Sequence, residues 1–159
     1  RFSPLDDATL RSVLSRELGV DAARAKDLAA LSGGSVKQAI YLQSDAGKLL
    51  LDLAENFLES TASGSTVQRL SWAHSLEGDR KDVAKVLPIV MVMLRELWAE
   101  AVKLPAELRL LSAPPKHGRS LRPEHIQALM GALVSAQEAL ARNANIGLAL
   151  DNLVLAGNA

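Results

Sequence analysis

The stretch Ser32-Gly33-Gly34-Ser35-Val36-Lys37-Gln38-Ala39 decides how this chain is read. Two glycines stop one helix, because glycine accepts the left-handed backbone that closes a helix. Ser35 then offers its oxygen to an orphan amide of the next helix. A helix start carries partial positive charge and favours anions, phosphate above all. Lys37, just inside that helix, is therefore either a phosphate sensor or an ordinary surface lysine.

Outward from this turn the spacing is helical. Upstream, an acidic start at Asp6 or Asp7 leads a helix with Leu10, Val13, Leu14 and Leu18 on one face and Gly19 as its stop. Asp21 caps a second helix, whose face is Ala25, Leu28 and Leu31. Ser35 opens a third, with Val36, Ala39 and Ile40 inward, ending near Ser44. Arg1 to Leu5, with Pro4, reads as a strand end or connector. None of these short helices buries its stripe alone, so residues 1–44 are expected to form a compact three-helix unit.

Downstream the helices lengthen. Ala46 to Glu59 carries Leu49, Leu50, Leu53, Phe57 and Leu58, and Ser60 to Ser65 reads as a loop. A helix spans Thr66 to Leu76, broken by Gly78-Asp79. Arg80 to Leu104 is the longest periodic stretch, and Pro88 inside it predicts a kink or a restart. Pro105 to Leu111 adds a turn or two, and Ala113 to Arg122 is a loop. Pro123 starts a helix to about Arg142, with Ile126, Met130, Leu133, Gln137 and Leu140 at helical spacing. Asn143 stops it, and Asn145 caps a last helix lined by Ile146, Leu150, Leu153 and Val154. No strand pair or repeat appears. The reading is all-α, in two units: 1–44 and 45–159.

Composition agrees. Of 159 residues 48% are hydrophobic but only 3% aromatic, so leucine and alanine build the core, and both favour helix. Eighteen basic and eighteen acidic side chains cancel, which argues against nucleic-acid binding by bulk charge. The absence of cysteine excludes disulfides and thiolate metal sites and fits a reducing, cytoplasmic setting. No signal peptide or membrane span is expected: the greasiest window, Ala84 to Leu94, is interrupted by Lys85 and Pro88. The start at Arg1 is what a piece cut from a longer protein would show.

The sequence carries no self-contained active site. Gly47-Lys48 mimics a phosphate-binding loop, but Leu49 stands where Ser or Thr must hold magnesium and Leu42 where the first glycine belongs. His74, His117 and His125 have no metal spacing and read as surface histidines, so no metal site is expected. Glu96 and Glu100 lie one turn apart with Arg95 and Lys103 beside them, which reads as a solvated charged face. Lys116, His117, Arg119 and Arg122 form a basic loop without interleaved aromatics to stack bases, again a solvated reading. Trp72 and Trp98 read as core or interface packing.

The order of these parts resembles the tail of a bacterial DNA polymerase III clamp-loader subunit. Arg1-Phe2-Ser3-Pro4-Leu5 resembles the hand-over from an AAA+ base to its lid, and Gly34-Ser35-Val36-Lys37-Gln38-Ala39 the sensor-2 turn. Asn145 through Leu155 (NIGLALDNLVL) is similar to the closing helix of the collar. The resemblance implies a lid over 1–44 and an oligomerisation collar over 45–159. It further implies no enzyme activity and no cofactor in this segment, with sister clamp-loader subunits as partners. Sliding clamp and primed DNA would be reached indirectly.

Two kinds of subunit compete within the family. The gamma/tau motors usually carry arginine in the sensor-2 turn, whereas the delta-prime stator has generally lost a working nucleotide site. Lys37 lacks the planar fork of arginine and makes a weak, vestigial sensor, which favours delta prime. The resemblance also points to Leu148, Leu150, Leu153 and Leu155 of the last helix as interface residues, since a helix apolar all round is buried on more than one side. A freestanding helical adaptor is the reading from another class.

Overall fold

Side-chain caps set where the helices begin in the computed structural model, which describes residues 5–156. Eight α-helices and one 3-10 turn make up those residues, with no strand among them: α1 Asp7–Leu18, α2 Ala22–Ser32, α3 Val36–Gln43, α4 Asp45–Ala62, α5 Thr66–Leu76, α6 Arg80–Ala101, the 3-10 turn Ala106–Leu108, α7 Pro123–Ala141 and α8 Ile146–Leu155. Asp6, Asp21, Ser35, Ser44, Ser65, Asp79 and Asn145 each accept a first-turn amide. Each such cap stabilises its helix by about 1 kcal/mol relative to alanine. The exception is α7, where Pro123 occupies the first turn and has no amide to satisfy. The connector expected over Arg1 to Leu5 lies, but for Leu5, outside the described residues; the Leu5 amide donates to the Gly34 carbonyl at 3.1 Å.

α6 is the axis of the fold. Nine of its apolar side chains are buried, from Val83 to Ala99, and α2, α4, α5 and α7 pack on it. α8 closes the far side against α5 and α7, while α1, α2 and α3 pack on one another and α3 leads into α4. A single buried cluster runs from Leu10 in α1 to Val154 in α8. Phe57 and Trp72 meet at 4.9 Å between ring centres, and the Trp72 indole donates to the Leu53 carbonyl at 2.8 Å.

Four expectations are corrected, the first in part. Helix α6 does not restart at Pro88 but continues through it, with the proline facing solvent. A proline costs a helix interior about 3 kcal/mol, and nine buried apolar residues at about 1.5–3 kcal/mol each for the larger ones outweigh it. Helix α4 continues past Glu59 to Ala62, because the Ser60 and Thr61 hydroxyls bond back to the Phe57 carbonyl at 2.9 and 2.8 Å instead of breaking the helix. Ile40 points outward, its place inside taken by Leu42, and Leu49 is 66% exposed beside a buried Leu50.

Gly47 explains its own presence. A Cβ built there would lie 2.1 Å from the Tyr41 carbonyl oxygen and 2.5 Å from the Leu42 Cα. The glycine lets the end of α3 cross the first turn of α4 at close range, which is packing and not phosphate binding.

Candidate interaction surface

Lys37 stands second in α3, exposed, two residues after Ser35, whose hydroxyl accepts the Gln38 amide at 3.2 Å. Gly33 closes the preceding helix at φ 57°, in the left-handed region. Lys37 makes no ion pair among the described residues.

The four leucines of α8 divide into two pairs. Leu150 and Leu153 are buried in the chain's own core and offer nothing to a partner. Leu148 is 63% exposed and Leu155 42% exposed on the other side of the helix. Seven residues apart, they lie about two turns from each other along one stripe. The Asn145 side chain accepts the Leu148 amide at 2.9 Å and fixes the start of that stripe.

The acidic residues of α6 do something the spacing does not reveal. Glu96 is fully buried, so the solvated-face reading is corrected. Its Oε2 accepts the amides of Leu110 and Leu111 at 2.9 and 3.1 Å, and its Oε1 lies 3.7 Å from the Arg109 guanidinium. Asp27 accepts the Ser112 amide and hydroxyl at 2.6 and 2.8 Å, and Glu55 the Lys116 amide at 3.3 Å. Three carboxylates from α2, α4 and α6 therefore hold the long connection between α6 and α7 in place. Within it Arg119 leans toward Glu100 at 3.9 Å, and Arg122 meets His125 at 2.9 Å. Two of the loop's basic side chains, Arg119 and Arg122, are thus engaged within the chain.

No family model, curated protein or solved structure matches the chain.

Buried Arg69 is a second feature that the spacing hides. Its guanidinium donates to the Gly64 carbonyl at 3.0 Å and the Val154 carbonyl at 3.4 Å, tying the α4–α5 turn to the last turn of α8. A cation there also complements the negative end of α8. At the other end of α5, His74, Glu77 and Asp151 bring ligand-type atoms within 4.8 Å of one another. Between α6 and α3, Lys85 lies over the Tyr41 ring at 4.9 Å. Partial burial works against its ammonium, but the hydrogen bond to Asp82 and the proximity of Tyr41 outweigh it and raise its pKa above the ordinary 10.5. Among the described residues no helix is long and apolar enough to cross a membrane.

Proposed function

We propose that the chain is an assembly scaffold: the lid (1–44) and collar (45–159) of a bacterial clamp-loader subunit of the delta-prime kind, acting in the cytoplasm during DNA replication. Its work is docking against sister subunits, which hydrolyse ATP and open the sliding clamp for primed DNA. The segment itself carries no catalytic step in this reading. The observation that carries it is the exposed pair Leu148 and Leu155 on a helix whose opposite face is already buried. Apolar side chains left outside on a terminal helix suit a neighbour's helix. The sequence likeness of the sensor-2 turn and of the final helix supplies the identity of that neighbour. Replacing Leu148 and Leu155 together by lysine tests it. The expected variant keeps the wild-type circular dichroism and thermal midpoint but no longer co-elutes with sister collars. Retained co-elution would remove the docking face.

The gamma/tau motor is the second reading, and the exposed, unpaired Lys37 favours it. There the lysine would report on ATP bound by the same subunit. ATP titration of the whole subunit separates the two. The motor reading expects micromolar affinity that falls at least about tenfold with Lys37→Ala, as loss of one phosphate-bound cation does, and the delta-prime reading expects no Lys37-dependent binding.

A further inference from the structure

We propose that His74, Glu77 and Asp151 form a binding site for a divalent cation of the zinc class, one that clamps α8 to the end of α5. This inference stands apart from the docking reading. His74 and Glu77 lie mid-chain and Asp151 in the last helix, yet their ligand atoms all lie within 4.8 Å of one another. His74 sits in the last turn of α5 and Glu77 is its C-cap residue, so the negative end of that helix faces the same place. One imidazole and two carboxylates make a borderline donor set suited to zinc, whereas calcium and magnesium take oxygen alone.

Three further observations point to a cation. The Nε2 of His74 and the Oε1 of Glu77 are 3.4 Å apart, and the two groups share no hydrogen bond. Zinc bound tetrahedrally at about 2.0–2.1 Å sets neighbouring ligand atoms roughly 3.3 Å apart, so this edge already has the required length. The Oδ1 of Asp151 is buried without any hydrogen-bond donor. A carboxylate oxygen in that condition is costly unless something positive meets it. Lastly, α8 approaches Glu77 through Gly147, where a Cβ would come within 3.0 Å of the Glu77 Oε1. Gly147 leaves the room in which that carboxylate sits.

The surroundings leave the set available. Glu77 pairs with His74 alone among the described residues, and Asp151 with no basic side chain. Arg80, in the wall of the adjoining cavity, spends its guanidinium on the Leu140 and Ala144 carbonyls at the end of α7. That depression is open to solvent and is lined by both Glu77 and Asp151, so water has access to their carboxylates. A bound ion would join α5 to the helix that carries Leu148 and Leu155.

The test is titration of metal-free protein with zinc chloride by calorimetry, with cobalt(II) absorption as the report on geometry. One equivalent is expected to bind, with the visible bands of tetrahedral cobalt and a raised thermal midpoint. His74→Gln and Asp151→Asn are each expected to weaken binding at least about tenfold, a lower bound set by what even supporting residues of metal sites contribute. Exposed His74 is the variant to rely on if Asp151→Asn unfolds the chain. Absence of binding would overturn the proposal. So would binding that survives both substitutions but is lost in a His117→Gln, His125→Gln double variant, which would mark adventitious zinc on surface histidines.

Discussion

Replacing Glu96 by alanine should be among the most damaging single changes this chain can suffer. The carboxylate is 0% exposed and accepts two backbone amides, those of Leu110 and Leu111, with the Arg109 guanidinium 3.7 Å away. Hydrogen bonds to a charged group contribute about 1.5–3 kcal/mol each, and a stranded buried donor costs a further 1–3 kcal/mol. Arg109 is 21% exposed and recovers part of its hydration, which tempers the loss. The net expectation is about 3–5 kcal/mol, within the range for breaking a buried pair by removing one partner. Domains of this kind have total stabilities of about 5–15 kcal/mol, so the change consumes a large share. Glu96→Gln keeps an acceptor oxygen for the two amides and should cost about 1–2 kcal/mol, the charge-assisted part alone. Urea unfolding followed by circular dichroism measures both, and amide exchange at Leu110 and Leu111 should quicken in the alanine variant alone. A solvated Glu96 would instead give an effect within about 0.5 kcal/mol for either change. That outcome would falsify the anchoring role and return the residue to the surface.

Other expectations follow the same physics. Gly47→Ala should destabilise the chain by about 1–3 kcal/mol or more, because the new methyl collides with backbone that has no rotamer to give; the urea midpoint reports it, and an unchanged midpoint would mean that α3 and α4 are farther apart than described. Trp72→Phe removes the 2.8 Å hydrogen bond to the Leu53 carbonyl while keeping an aromatic ring against Phe57, and should cost about 1–2 kcal/mol in the same assay. The Asp6 carboxyl is held below its ordinary 3.8 by hydrogen bonds from the Thr9 hydroxyl and amide. Its contribution is therefore complete above the unfolded value and is lost as the pH falls through the lower folded value. The thermal-midpoint difference between wild type and Asp6→Asn should accordingly be constant near neutrality and shrink on acidification below the ordinary carboxyl range; a difference that grows on acidification contradicts the cap.

Much of the fold was legible in local chemistry. The caps Asp21, Ser35 and Asn145, the Gly33 stop and both ends of α5 follow from side chains acting on their own neighbours. What spacing failed to fix was rotation about the helix axis. Leu49 and Leu50 differ by about 100° on the helix, and only tertiary contact with α6 shows which turns inward. Ser60 and Thr61 read as loop residues because hydroxyls compete with the helix ladder, yet here they bond within it. The candidate sites were less legible. Leu148 and Leu155 stood out by their leucine excess beside the line of Ile146, Leu150 and Leu153, but only the packing of α5 and α7 shows Leu150 and Leu153 spent in the chain's own core and not at an interface. The role of Glu96 depends on amides fourteen and fifteen residues onward. His74 and Asp151 meet only because α5 and α8 pack together. No residue spacing encodes such meetings.

The scaffold reading stands or falls on association. The chain alone has a mass of 17.0 kDa, so light scattering on a sizing column reads binding directly. Mixed with gamma/tau and other sister collar segments, it should elute in a heavier complex that the Leu148→Lys, Leu155→Lys double variant fails to join. A constant 17.0 kDa in every mixture, or a complex indifferent to those two lysines, would contradict the account.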